Sequence, residues 1–378
     1  MHMANGLKQC FPMIRERAEV LSDIYKSDLM RKVYESWNQE QQERFISYCT
    51  GTRGIKLLYD TFFKEVFNPD ATPERLEELL SLLMQQKVKI LYVLPNECSR
   101  VAAENSLLIL DIVVQLEDGS VANVECQRIG YAFPGQRCAC YSSDLLLRQY
   151  KRVRGNKGSE FSYKDIKKVY TIVFFEKSPK EFKSFKKKST YVHRSHQQFD
   201  TGVKMDLLQE YIFINLDIFR YKLDNNSVEI ENGLEAWLTF LSVDEPDIII
   251  KLLEKYPRFR PLYEEVYYLC LNVEKVMRMF SKELLELDKN TVQYMIDEMQ
   301  DEINAQKLIM EEQKQELEEQ KQELEENAQK LEEQKQIVEE QKQIVEEQKQ
   351  IVEEQKQKNE MQKREIERLN ALLKSLGY

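Results

Sequence analysis

The sequence predicts an α/β head followed by a long C-terminal helix. Two observations point to the head: a pair of apolar-patterned strands around Glu117-Asp118-Gly119, and amphipathic segments before and after them. A third points to the rod, where a seven-residue unit recurs from Glu311 onward. Residues up to about Tyr48 read as helical, with Trp37 and Phe45 as anchors. Helices are expected at Ile55–Phe67 and Pro73–Gln86, then the hairpin, then a helix around Gln136–Tyr150. Strands follow near Val169–Phe175 and Tyr211–Ile218, then a helix at Leu234–Leu241. Asp244-Glu-Pro-Asp247 is a break, with Asp244 or Asp247 as the cap of the next helix. Helix dominates from about Pro261 to the end. The expected units are a helical extension (1–50), an α/β core (51–245), a helical segment (246–298) and a heptad-repeat tail (299–378).

The hairpin carries acidic and amide groups in otherwise apolar sequence. Side chains alternate along a strand. Leu110, Ile112, Val114 and Leu116 share one face of the first strand, and Ala122, Val124 and Cys126 share one face of the second. The opposite faces hold Asp111 with Gln115, and Asn123 with Glu125 and Gln127. A two-residue Asp-Gly turn would put Asp111 and Glu125 on opposite faces. A three-residue loop, Glu117-Asp118-Gly119 with a left-handed Gly119, pairs Asp111 with Glu125 and also puts both apolar sets on one side. The bulged loop is therefore expected. Two carboxylates brought together suit Mg2+ or Mn2+, which lowers the pKa of a bound water and clamps a phosphate. On the hairpin alone, a solvated polar face of an antiparallel sheet reads as well.

The ordered residues resemble the PD-(D/E)xK family transposases, also called recombination-promoting nucleases. Asp111 and Val124-Glu-Cys-Gln127 match its Asp…Glu-x-Gln strands. Asp60-Thr-Phe-Phe-Lys64-Glu-Val-Phe67 matches its early helix. Arg137 and Tyr141 sit where the family has Arg and Tyr, and Val169–Phe175 looks like its next core strand. The resemblance spans roughly Gly54 to Leu241 and implies a restriction-endonuclease-like fold, a mixed sheet flanked by helices. It implies a metal site of Asp111, Glu125 and the Cys126 backbone carbonyl, with Gln127 positioning a water or phosphate oxygen. Gln127 stands where most of the wider superfamily has Lys, and Gln can neither stabilise charge ionically nor act as a base. Asp60, Lys64, Arg137 and Tyr141 are accessory candidates, though Asp60 and Lys64 also read as an i,i+4 surface pair.

Charge is segregated. The net charge is −10, yet Arg148 to Arg194 holds 15 Lys or Arg against four acids. Lys151, Arg152 and Arg154, with Lys186, Lys187 and Lys188, would attract double-stranded DNA through its phosphates; a solvated Lys-rich loop fits equally. Seven cysteines without Cys-x-x-Cys spacing, and three His, argue against zinc and for a reducing cytoplasm. No apolar signal core, membrane-length run, Gly-rich phosphate loop or Ser nucleophile elbow is present.

In the tail, Leu317, Leu324, Leu331, Val338, Val345, Val352 and Ile366 fall in one heptad register, interrupted at Asn359. Ile337, Ile344 and Ile351 sit beside them, and the other core position is Gln334, Gln341 and Gln348. The seam is half polar, so a homo-oligomeric coiled coil and a single solvated helix held by i,i+3 and i,i+4 Glu–Lys pairs are both open. Two functions compete. One is a metal-dependent endonuclease of a mobile element, promoting recombination or transposition. The other is a catalytically weak or inactive interaction protein that oligomerises through its tail.

Overall fold

In the computed structural model, which describes residues 6–58, 60–94, 112–127, 134–185, 190–225 and 229–375, helices open the chain. They are α1 (Gly6–Cys10), α2 (Arg17–Lys26), α3 (Asp28–Ser36) and α4 (Gln39–Cys49). A reciprocal cap starts α4: Asn38 Oδ1 accepts from Gln41 N–H at 2.9 Å and Gln41 Oε1 accepts from Asn38 N–H at 3.0 Å. Next come α5 (Asp60–Val66) and α6 (Pro73–Met84), then strands β1 (Ile90–Leu94), β2 (Ile112–Leu116) and β3 (Val121–Gln127). After them run α7 (Pro134–Lys157), β4 (Val169–Phe175), the short α8 (Lys180–Lys183), β5 (Val192–Ser195) and β6 (Gln209–Asn215). Helices close the chain: α9 (Leu216–Asn225), α10 (Gly233–Ser242), α11 (Pro246–Lys255), α12 (Arg260–Cys270) and α13 (Val273–Ser375).

The sheet is mixed, in the order β1-β2-β3-β4-β6-β5. The β1–β2, β2–β3 and β5–β6 pairs are antiparallel; β3–β4 and β4–β6 are parallel. The central β4, Val169–Phe175, is buried along its whole length, as its nearly unbroken apolar run requires of a strand covered on both faces. Side chains of Ile112, Val114, Ala122, Val124, Ile172, Phe174, Ile212 and Ile214 enter the main core with the flanking helices. Trp37 and Phe45 are buried there and pack on Phe280 of α13 at ring-centroid distances of 5.0 and 5.7 Å.

The β2–β3 hairpin follows the bulged register. Ile112 pairs with Val124, Val113 with Asn123, Val114 with Ala122 and Gln115 with Val121. The loop closes with Leu116 N–H on the Ser120 carbonyl and Gly119 N–H on the Leu116 carbonyl, both at 2.9 Å. Gly119 has φ +86°, a conformation that side chains resist.

Several expectations need correcting. The strand expected to reach Ile218 stops at Asn215, because Leu216, Phe219 and Leu223 turn as helix α9 to bury in the main core. The helix expected from Ile55 begins at Asp60, and the N-cap position of α11 is Glu245, ahead of Pro246 and without a side-chain cap bond, rather than Asp244 or Asp247. Asp244 is committed elsewhere, to Arg53 at 3.4 Å and through its carbonyl to Gly54 N–H at 2.8 Å. Lys151-Arg-Val-Arg154 belongs to the last turns of α7, not to a loop after it. Strands β1 and β5 were not foreseen.

Contacts divide the chain into two compact units, Met1–Glu298 and Met299–Tyr378. The second is helical up to Ser375, and its apolar residues are exposed.

Candidate active site

The second face of the sheet carries the polar groups, and it is not solvated. Helix α7 lies over it. Val113, Val121 and Val169 of the strands pack against Tyr141 and Leu145 of α7, and Cys138 packs against Val173 and Phe175. Beneath that cover lie Asn123, Glu125 and Gln127 of β3, with 0%, 5% and 5% of their surface exposed. A solvated face would have left them open to water, so the wet-sheet alternative is excluded for β3.

Glu125 is held from its own strand, where Asn123 Nδ2 donates to Glu125 Oε1 at 3.2 Å. In the β3–β4 register Asn123 lies beside Thr171, Glu125 beside Val173 and Gln127 beside Phe175. The Cys138 thiol is pushed up to about 12, first by burial and then by the nearby Glu125 charge, with Arg137 acting against both. Cys138 on α7 thus lies near the Glu125 carboxylate. Arg137 Nε donates to the Tyr141 hydroxyl at 2.6 Å, and its guanidinium carbon sits 5.3 Å from the Tyr141 ring centroid. Arg137 and Tyr141 are thus brought to the face that holds Glu125 and Gln127.

Asp111 and Lys186–Lys188 lie outside the described residues. Asp60 opens α5, whose Phe62, Phe63 and Val66 are buried in the main core, and Lys64 is half-buried on that helix. Cys126 lies half-buried between Glu125 and Gln127 and points into the main core. Sequence reasoning missed Thr171 and Cys138. Thr171 left a trace, a polar residue in an otherwise apolar buried strand. Cys138 left none, because its place depends on how α7 docks.

Several buried polar atoms here have no hydrogen-bond partner among the described residues: Asn123 Oδ1, Gln127 Oε1 and Thr171 Oγ1. Each such group costs roughly 1–3 kcal/mol when left unsatisfied. The Glu125 carboxylate and the Gln127 carbonyl oxygen sit on one face of one strand and form a hard-oxygen donor set, which fits a divalent cation of the Mg2+ type. Among the described residues no group of three or more His, Cys, Asp or Glu could hold a metal by itself.

The basic run forms a separate surface. From Cys138 to Arg154 the α7 axis rises about 24 Å at the usual pitch. The far end packs near the start of β4, where Gln149 Oε1 accepts from Lys167 N–H at 2.6 Å. Lys151 and Arg154 are exposed there, and Arg154 covers the Tyr150 ring at 5.6 Å. Tyr150 stacks on Tyr163 at 6.1 Å. Among the described residues no helix is long and apolar enough to cross a membrane.

Comparison with known proteins agrees with this architecture. No curated protein and no solved structure matches the chain. The sequence signature described as PD-(D/E)XK nuclease family transposase matches residues 57–298, from just ahead of α5 into α13. That is most of the chain and takes in the whole sheet and its α7 cover, and the mixed sheet flanked by helices fits the restriction-endonuclease-like fold. The chain therefore belongs to the PD-(D/E)XK nuclease family transposases.

Proposed function

We propose that the chain is a Mg2+- or Mn2+-dependent endodeoxyribonuclease of a mobile element, which promotes recombination by hydrolysing phosphodiester bonds. One observation carries the reading: a carboxylate, Glu125, buried beside the amides of Asn123 and Gln127 in a hairpin whose register is the one that pairing with Asp111 requires. Asp111, Glu125 and the Cys126 carbonyl would hold the cation. When bound, it supplies Lewis acidity toward the scissile phosphate and the attacking water. Asn123 fixes the Glu125 carboxylate through its amide. Gln127 orients the water or a phosphate oxygen and moves no proton, since its amide does not titrate. Lys151, Arg152 and Arg154, with Lys186, Lys187 and Lys188, hold the duplex by its phosphates, which position DNA without reading its sequence. Seven cysteines without a disulfide framework in the sequence suit a reducing cytoplasm. Two copies associate through the tail.

A plasmid-nicking assay with Mg2+ tests the reading. Asp111→Ala and Glu125→Gln should each abolish cleavage, and calorimetry should show weaker Mg2+ binding in both. Cleavage that persists unchanged in Asp111→Ala would remove the site. A second reading, a nuclease fold kept for binding alone, is favoured by Gln127 in place of Lys. It expects DNA binding without cleavage in the parent chain.

A further inference from the structure

We propose that the tail seats a second copy of this chain in parallel and in register, forming a two-stranded coiled coil with both heads at one end. This deepens the pairing read above by fixing its direction.

Within one chain the tail leaves a long apolar column bare. From Ile303 to Leu373 every seventh residue is apolar except Asn359, and each apolar member is at least 43% exposed. Three residues further on runs an amide column: every seventh residue from Gln306 to Gln362 is Gln, or Asn at position 327. Directly after it runs a Lys column, from Lys307 to Lys363 at the same spacing, broken only by Ala328. The columns select one frame. If the apolar column took the d position, Lys would fill a. If Ile337, Ile344 and Ile351 formed the core, Glu316, Glu323 and Lys330 would occupy it one heptad after another. Only apolar at a with amide at d keeps charge out of the seam.

That frame decides direction. In an antiparallel pair each a residue meets a d residue, so nearly every layer would set an apolar side chain against an amide stripped of water and of a partner. The e positions would also face each other and line Lys against Lys along most of the rod. In a parallel pair a meets a and d meets d. Apolar layers then alternate with amide layers in which Gln can donate to Gln. The Lys column faces the g column instead. Lys342, Lys349 and Lys356 lay their stems on Ile337, Ile344 and Ile351 of the other copy, Lys321 meets Glu316, and Lys meets Lys only at 330–335 and 358–363. A single Asn at a, Asn359, specifies the oligomer state and fixes the register that the three identical heptads from Glu332 to Val352 leave degenerate.

The test uses the full chain with Met310→Cys or Ile366→Cys, positions equidistant from Val338 on either side. Light scattering should give twice the monomer mass. Oxidation followed by peptide mass spectrometry should show 310–310 and 366–366 disulfides, with no 310–366 disulfide when the two variants are mixed; the unsubstituted chain controls for the exposed Cys140. Replacing Val338, Val345 and Val352 together by Gln should raise the dissociation constant at least tenfold while circular dichroism still shows the helix. A 310–366 disulfide, a monomeric parent chain, or a triple variant as dimeric as its parent would overturn the proposal. Cleavage reads separately. A chain that cross-links as expected but leaves plasmid intact with Mg2+ would defeat the nuclease reading and leave the pairing standing.

Discussion

Asn123 and Glu125 are two residues apart on one strand, and alternation alone places both on the face that α7 covers. This much of the site was legible from sequence, because a strand has only two faces and the Glu117-Asp118-Gly119 loop chose between registers. Cys138 and Thr171 were not legible, since their nearness to Glu125 depends on a helix and a parallel strand arriving from elsewhere in the chain. Another buried acid makes a pH prediction. Glu235 is 1% exposed; burial pushes its carboxyl up, but hydrogen bonds from Lys222, the Glu231 N–H and the Tyr191 hydroxyl hold it below the usual range. A carboxyl depressed in the folded state gives stability that is present above its unfolded pKa and is lost as the pH falls through the folded one. Glu235→Gln should cost about 1–3 kcal/mol at neutral pH. It should also flatten the fall of Tm from pH 6 to pH 3 relative to the parent. Parallel pH profiles for parent and variant would contradict this.

At the scale of elements, α7 does most to shape the site. Its Leu145 is buried against Val113, Val121 and Val169. Leu145→Ala should destabilise the head by about 2–5 kcal/mol, measured by urea titration, through the lost contacts and the cavity left behind. It should also speed Cys138 labelling, because the cover over β3 loosens. The extent of α7 was misread. Hydrophobic periodicity fades after Tyr150, where Lys151, Arg152 and Arg154 take over, yet the helix runs on to Lys157. Strands β1 and β5 escaped for a different reason. They are the edges of the sheet, only partly buried, and β5 is built from Val-His-Arg-Ser, which has little intrinsic preference for a strand. Long buried β4, by contrast, was read to the residue.

For the molecule as a whole, the heptad tail was the most legible part, because a period of seven needs no tertiary contact to show itself. Its own ion pairs are local: Lys335 with Glu332, Lys342 with Glu339 and Lys349 with Glu346, at 3.2 to 3.4 Å and well exposed, so each contributes only a few tenths of a kcal/mol. Deleting one full unit, Glu339–Val345, should leave the Tm of the head unchanged and the tail helical, because the apolar column closes up unbroken. Deleting Glu339–Gln341 alone should shift the column around the helix and lower the mass measured by light scattering. Equal effects of the two deletions would argue that the column has no role.

The length of α7 also sets a scale for DNA. Arg154 at one end and Cys138, beside Glu125, near the other are separated by about 24 Å along the axis. At roughly 3.4 Å of rise per base pair, that is about seven base pairs. A duplex gripped at the basic end would therefore meet the acidic site most of a helical turn away, and the footprint on the strand would be offset from the point of scission.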